Sequence, residues 1–209
     1  MSDNRLIKLF AIFYKSQIVL GELFEQKDGK IKKLLFFSLY GITVMHIVDS
    51  SYLYRGDEFD LPEIIIFLVF AGAIYGIIHN YLIGFLFPLV GKWFLNLEGK
   101  RSIKDFRNYL QLLAIVRRVD FWIFVLILGT WSTLGKSVYM SNSDYSLLQE
   151  FFLLVIKGAI IGLKTWGFIL LLKGLVKIND YSISKAFIHI LLMAPVFIID
   201  FYIFNAILP

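Results

Sequence analysis

The chain has 209 residues, of which 58% are hydrophobic and 18% charged, and its formal net charge is +5. This apolar content exceeds what one soluble domain of this length can bury, so an ordinary soluble domain is excluded. There is no cysteine, which excludes disulfides, thiolate metal sites and cysteine nucleophiles.

The first element in chain order is a cytoplasmic amphipathic segment, predicted over residues 1–33. In RLIKLFAIFYKSQIVLGELF the apolar side chains fall on one helical face, and Lys8, Lys15 and Glu22 lie elsewhere. A helix with this pattern lies in the plane of the membrane interface rather than across the bilayer.

Long apolar runs follow this segment, and a run of about 20 residues lets a helix cross the roughly 30 Å hydrocarbon core. We therefore predict an all-α, polytopic integral membrane protein, a single domain with five transmembrane helices. The second run is long enough to tilt, or to bend near Pro88. The predicted spans cover residues about 34–53, 62–91, 119–136, 147–173 and 184–208.

A second amphipathic helix is predicted on the cytoplasmic side, in SIKDFRNYLQLLAIVRR ahead of the third span. Ser102 and Asp105 have the spacing of a capping box, and Phe106 and Leu110 belong to an apolar stripe. Its cations are expected to contact anionic lipid head groups, each contributing on the order of 1 kcal/mol. The alternative is an ordinary cation-rich cytoplasmic loop. The candidate head-group contacts are Arg101, Lys104, Arg107, Arg117 and Arg118.

Basic residues are distributed unevenly among the connecting segments, and this gives the orientation. Of the 21 lysines and arginines, 17 lie before the first span, between the second and third, or between and at the facing ends of the fourth and fifth. Because cation-rich loops stay in the cytoplasm, we predict a multi-pass protein of the inner membrane with a cytoplasmic amino terminus and its carboxyl terminus on the opposite side. The same rule accounts for the basic net charge, so no nucleic-acid partner is expected.

Glycines recur every four residues in two spans, which favours close packing of helices in lipid. In the second span the stripe also contains Asn80, which can hydrogen-bond to a neighbouring helix. We favour packing within the chain, while a homo-oligomer or a membrane-protein partner stays open. The glycines concerned are Gly72, Gly76, Gly84, Gly158 and Gly162.

Lys157 and Lys164 lie inside the fourth span, seven residues apart and therefore on one helical face. A lysine at the centre of a span costs about 2.5 to 3.5 kcal/mol, so we expect both to face the helix bundle. The carboxylates available to pair with them are those of Asp49, Asp120 and Asp200.

Together these groups predict a polar seam through the bundle. It would serve as a path for protons or ions, or as a site for a lipid head group. The reading that we favour is that ion pairs fix helix register, with Lys164 extending its ammonium group to the cytoplasmic interface. His189, close to the inner end of the fifth span, is expected at the interface. With His46, only three histidines occur, so we assign no metal and no cofactor. The seam consists of Asp49, His79, Asn80, Lys157, Lys164 and Asp200.

The order of these parts resembles the Yip domain family of Ypt- and Rab-interacting membrane proteins, in its prokaryotic branch. The resemblance rests on NLEGKRSIKDFRNYLQLLA and on KTWGFILLLKGLVKINDYSISKAFIHILL. The chain has Lys15-Ser16 and Arg118-Val119 where many relatives have prolines, and the resemblance implies no GTPase partner. It implies a five-helix membrane protein with a basic cytoplasmic face.

Two functions follow as hypotheses. The first is a non-enzymatic protein of membrane organisation, a scaffold or a partner in a membrane complex that binds lipids. The second is a small transporter or proton-coupled channel that uses the acidic, histidine and lysine members of the polar seam. Five spans are awkward for a transporter built from inverted repeats, and no internal duplication is evident. An enzyme acting on lipids is weaker still, because no nucleophile and base are placed together.

Overall fold

The computed structural model describes residues 61–95, 103–134 and 146–207, together with Phe13. Within these ranges the chain is all-helical, which confirms the all-α prediction for this part of the protein. The predicted amino-terminal segment and the predicted first span lie outside the described residues. The helices are α1, Leu61–Leu95; α2, Ile103–Leu134; α3, Leu147–Asn179; and α4, Ile183–Ile207.

Two stretches are long and apolar enough, by length and composition, to cross a membrane. They are Ile78–Leu95 within α1 and the whole of α3. Helix α4 contains a shorter apolar stretch, Ile183–Ile199. At 1.5 Å per residue, the 33 residues of α3 extend about 50 Å, which is longer than the hydrocarbon core is thick. The five-span topology stays a prediction, because two such helices do not establish it.

Helix α2 runs unbroken through two segments that were predicted to be separate, the surface helix at 102–118 and the third span at 119–136. No proline or glycine occurs between Ile103 and Leu128, so nothing in the backbone ends the helix at the charged residues before the predicted span. The environment also differs from the prediction. Residues 111–115 are all buried, so this part of α2 contacts protein on every side instead of lying flat at an interface.

The chain forms two compact units. The first unit contains Ile78–Ile115 and the residues from Ile169 onward, which include the end of α3 and all of α4. The second unit contains Val116–Phe168 and the beginning of α1.

Close helix approach in the first unit depends on two glycines. A Cβ atom added at Gly84 of α1 would lie 2.6 Å from Leu110 Cδ2 of α2. A Cβ atom added at Gly174 of α3 would overlap the side chain of Leu112, which is itself fully buried in α2. The buried apolar side chains around these contacts include Ile83, Phe87, Ile115, Leu170, Leu175, Ala186 and Met193.

In the second unit, α2 and α3 pack as an antiparallel pair. Val116 and Val119, early in this part of α2, lie at van der Waals distance from the Cβ position of Gly167, late in this part of α3. Further along α2, Ile123 and Ile127 form a small buried cluster. The side chains packed against that cluster are Phe124, Ile160 and Leu163.

Candidate functional site

The turn between α3 and α4 places the polar side chains of the first unit. Asp180 has φ 53°, a left-handed conformation that ends α3, and asparagine or aspartate adopts it more readily than most residues. Ser182 then begins α4: its carbonyl accepts a hydrogen bond from Ala186 N–H at 3.0 Å, and its hydroxyl oxygen lies 3.4 Å from Lys185 N. This short connection holds Asn179 and Tyr181 at the junction of the two helices.

Asn179 joins α3 to α2 through its side-chain amide. The Tyr109 hydroxyl donates to Asn179 Oδ1 at 2.5 Å, and Asn179 Nδ2 donates to the Leu175 carbonyl at 3.0 Å. The Asn179 side chain also hydrogen-bonds to Tyr181. A single amide therefore satisfies two tyrosine hydroxyls and a carbonyl of its own helix.

His189 of α4 extends the network to α1. Its Nε2 lies 2.8 Å from the Phe87 carbonyl oxygen, and its Nδ1 lies 2.7 Å from the Tyr181 hydroxyl. Because a carbonyl oxygen only accepts, Nε2 carries the hydrogen of the neutral ring, and Nδ1 accepts from Tyr181. The rings of Phe87 and Tyr109 stack with centroids 5.9 Å apart, and the imidazole meets the Phe87 ring edge-to-face at 5.4 Å.

We call Tyr109, Asn179, Tyr181, His189 and the Phe87 carbonyl the polar tie, because together they connect α1, α2, α3 and α4 within the first unit. Burial raises the pKa of the Tyr181 phenol well above its ordinary value, and the nearby Tyr109 hydroxyl acts in the same direction. The hydrogen bond from Asn179 opposes this shift but is the smaller effect. The tie thus consists of neutral groups that satisfy one another. No carboxylate belongs to the tie, and its hydrogen bonds join residues of different helices.

Other buried polar side chains lie in the same unit. His79 and Asn80 of α1, both members of the predicted polar seam, are buried. Gln111 of α2 is also buried, and within the described part of the chain its Oε1 atom has no hydrogen-bond partner. Such an atom costs about 1 to 3 kcal/mol of desolvation.

The two lysines of the predicted seam, which were expected to face the bundle, lie on an exposed part of α3. Lys164 acts electrostatically on Asp120 of α2, one of its three proposed partners. Among the described residues no carboxylate forms an ion pair with Lys157. Both lysines were expected to face the bundle because a charged side chain in lipid costs free energy. A lysine lowers that cost when its long apolar stem carries the ammonium group toward water. Asp49 lies outside the described residues, and Asp200 lies within α4.

The predicted head-group contacts are arranged differently from the expectation. Arg117 Nη1 lies 3.2 Å from Asp120 Oδ2, and only 12% of the Arg117 side chain is exposed. The Arg118 side chain is also half-buried, with its Nε atom inaccessible. These two arginines therefore contact protein, because the continuous α2 helix turns them toward its neighbours. Arg107 is half-buried, Lys104 lies in the first turn of α2, and Arg101 is outside the described residues.

Some of the glycines predicted to pack against a helix do so, and others do not. Gly84 packs against α2 as described above, whereas Gly158 and Gly162 are exposed and no described atom lies within 4 Å of their Cβ positions. Gly72 and Gly76 lie within α1. The packing glycines of α3 are instead Gly167 and Gly174, which sequence reasoning missed. Their seven-residue spacing was an available signal, since it places both on one face of the helix.

Sequence reasoning also missed Tyr109, Asn179 and Tyr181. The signal for the last two was the run Asn179-Asp180-Tyr181-Ser182, whose types favour turns and helix caps between apolar helices. Nothing in the sequence indicated that Tyr109 would meet them.

No metal site is formed by the described residues, since no three histidine, aspartate or glutamate side chains in those ranges come together. Comparisons of the chain with protein-family models, with curated proteins and with solved structures find no match.

Proposed function

We propose that the chain is a non-enzymatic integral membrane protein of the Yip type, which organises membrane or serves as a scaffold in a membrane complex. In this proposal it crosses a prokaryotic inner membrane five times, with a cytoplasmic amino terminus and its carboxyl terminus on the far side. Its partners are lipids, including anionic ones, and a second membrane protein or a second copy of the chain.

One observation carries the proposal, the exposure of α3. Only 11% of this long apolar helix is buried inside the protein. Leaving a Leu or Phe side chain in water instead of burying it costs about 1.5 to 3 kcal/mol. Exposed side chains of this kind recur along the helix, so lipid or a partner helix must cover them. They include Leu147, Leu148, Phe151, Leu154, Val155 and Ile161.

The non-enzymatic part of the proposal is supported by the state of the buried polar groups. The polar tie uses its donors and acceptors on itself, and its only titratable groups are a phenol pair and a neutral imidazole. A catalytic site needs a nucleophile or base aimed at open space for a substrate. The tie instead stabilises the junction of four helices.

Cysteine labelling of the two chain ends tests the topology, because the natural chain contains no cysteine. We expect Ser2→Cys to react with a membrane-impermeant maleimide only in inverted vesicles, and Pro209→Cys only in intact spheroplasts. The parent chain, which lacks a thiol, is the matched control in both preparations. Labelling of both ends from one side would overturn the five-span arrangement.

Transport is the second candidate function, and the buried His79 and Asn80 favour it, because polar side chains inside membrane helices often line a path. The exposure of Lys157 and Lys164 counts against a path through the bundle that uses them. Ion flux across vesicles containing the purified chain decides between the candidates. Flux that His79→Leu abolishes and Lys157→Met leaves intact would establish a path without the lysines, and no flux above empty vesicles would remove transport.

A further inference from the structure

We infer that the end of the first unit at which α1 and α3 end and α2 and α4 begin binds the head groups of anionic phospholipids. This inference rests on the proposed membrane function and names the partner more closely. The cations that we infer to contact the head groups differ from Arg117 and Arg118, which are half-buried. We call the inferred set the basic cap, and it consists of Lys92, Arg107, Lys173, Lys177 and Lys185.

Contacts within the first unit bring these helix ends together. The hydrogen bond from Tyr109 to Asn179 holds the beginning of α2 beside the end of α3. The bond between His189 and the Phe87 carbonyl holds the beginning of α4 beside the last turns of α1. Each helix end carries at least one cation of the basic cap, so the polar tie gathers charges that are far apart in sequence.

The charge balance of this end favours an anionic partner. The four lysines of the cap are exposed and Arg107 is half-buried. Asp180 in the turn and Asp105 in the first turn of α2 are the carboxylates that the described helices carry at this end, fewer than the five cations of the cap. A lysine or arginine close to an anionic leaflet contributes on the order of 1 kcal/mol, which is about a fivefold change in association.

Helix dipoles do not explain the placement of all these cations. Lys92 and Lys177 lie in the last turns of α1 and α3, where a cation stabilises the helix. Lys185 and Arg107 lie in the first two turns of α4 and α2, where the dipole disfavours a positive charge. The five cations lie at one end of the unit although the helix dipoles there differ in sign, and this arrangement suits a common anionic partner.

Exposed apolar side chains between the cations identify the partner as a bilayer surface. Trp93 and Phe94 follow Lys92 at the end of α1, with 66% and 64% of their surface exposed. Ile183 and Phe187 are exposed on either side of Lys185. Tryptophan and lysine together are typical of the membrane interface, where the ring enters the head-group layer and the ammonium group meets phosphate. An acidic protein would not need exposed apolar side chains at this position.

Fluorescence of Trp93 tests the inference directly. Trp122→Phe, Trp131→Phe and Trp166→Phe leave Trp93 as the single tryptophan of the full-length chain, which is reconstituted in mixed phosphatidylcholine and phosphatidylglycerol vesicles. Two vesicle preparations are compared: one contains brominated phosphatidylglycerol and the other contains brominated phosphatidylcholine at the same mole fraction. We expect brominated phosphatidylglycerol to quench Trp93 more strongly than brominated phosphatidylcholine. The difference should shrink from about 0.1 M to about 1 M salt, since the Debye length falls from about 10 to about 3 Å.

Two matched double variants test whether the lysines of the basic cap cause the preference for anionic lipid. Lys177→Gln with Lys185→Gln should lower the preference for the anionic lipid by up to about fivefold for each lysine. Lys157→Gln with Lys164→Gln removes the same charge from α3 outside the cap and should leave the preference unchanged. Analysis of lipids retained by the chain in polymer nanodiscs, with all four tryptophans present, gives a second measurement. Phosphatidylglycerol should be enriched over the bulk membrane, and less so in the cap variant.

Equal quenching by both lipids, without enrichment in nanodiscs, would overturn the inference and leave membrane insertion intact. Absence of quenching by either lipid, with Trp93 open to iodide, would also overturn it and would point to an acidic protein at the cap. Failure of the proposed function has a different signature, because a chain that is not integral to the membrane is released by alkaline carbonate before any of these measurements.

Discussion

His189 is fully buried, and both of its ring nitrogens are hydrogen-bonded, one to Tyr181 and the other to the Phe87 carbonyl. The sequence indicated only how far along its helix this residue lies, and an interfacial position was the natural expectation. The Phe87 carbonyl is 102 positions away in sequence, and no local pattern shows that it faces the imidazole. The position of His189 along its helix could be read from the sequence, but its hydrogen-bond partners on other helices could not.

Tyr109→Phe tests the contribution of the polar tie to stability. The substitution keeps the ring that stacks on Phe87 and removes the hydroxyl that donates to Asn179 Oδ1. Loss of a donor to a half-buried amide oxygen should lower the free energy of unfolding by about 1 to 3 kcal/mol. Denaturant titration of the purified chain in detergent measures the change.

Tyr81→Phe is the matched control for this substitution. Tyr81 belongs to the same unit and also contacts a ring, that of Phe106, but its side chain is exposed. Removal of its hydroxyl should change stability by no more than about 0.5 kcal/mol. If the two variants were equally stable, the hydrogen bond to Asn179 would contribute nothing.

Tyr181 should make the first unit sensitive to alkaline pH. Burial raises the pKa of its phenol in the folded chain, so the unfolded chain loses this proton first as pH rises. The stabilisation is complete below the unfolded pKa, near 10.0, and is lost progressively as pH rises from there through the higher folded pKa. Free energies of unfolding measured from about pH 9 to about pH 12 should therefore fall with pH.

Tyr181→Phe separates this effect from the other ten tyrosines. The variant should be less stable than the parent near neutral pH, because Nδ1 of His189 loses its donor. Its stability should nevertheless decline less steeply above about pH 10, since one raised pKa has been removed. Parallel curves for parent and variant would show that the phenol is not shielded from water in the folded chain.

At the scale of helices, the sequence predicted where apolar segments lie but not where helices end or pack. The charged pair before residue 119 suggested a boundary, yet α2 continues through it because arginine is a good helix former. A stripe of glycines likewise allows close approach of a second helix but does not ensure it. Leu112 packs closely against Gly174, whereas no described residue packs against Gly158.

Gly174→Ala and Gly158→Ala should change the stability of the chain in opposite directions, although both lie on α3. The added methyl group at Gly174 would overlap the fully buried side chain of Leu112, which would have to shift within a packed interior, so we expect a loss of about 1 to 3 kcal/mol. The same change at exposed Gly158 meets no described atom and should stabilise α3 by up to about 1 kcal/mol, because alanine is the better helix former. Thermal unfolding in detergent measures both variants.

A stabilised Gly174→Ala variant would show that α2 and α3 separate easily at Leu112. A strongly destabilised Gly158→Ala variant would show that another chain or segment packs closely on the exposed face of α3. Each result therefore reports on a different contact of the same helix.

At the scale of the whole chain, composition indicates contact with lipid but does not give the architecture. An apolar content of 58% required either an unusually large core or contact with lipid, and the exposed surface of α3 agrees with contact with lipid. The number of spans depends on which apolar helices lie across the bilayer, and apolar length alone does not decide this. The clustering of basic residues into alternate segments indicates an orientation, but only a measurement on the intact membrane tests it.

Cysteine scanning along α3 distinguishes lipid from water as the medium around its exposed face. Leu154 and Ile161 are 68% and 65% exposed, and Lys177 near the end of the same helix is exposed as well. Maleimide reacts with the thiolate, which does not form in hydrocarbon. In intact membranes Leu154→Cys and Ile161→Cys should therefore react at least about tenfold more slowly than Lys177→Cys. All three should react alike once detergent has unfolded the chain, which controls for labelling chemistry. Equal rates in the membrane would mean that water, and neither lipid nor a partner protein, covers the apolar face of α3.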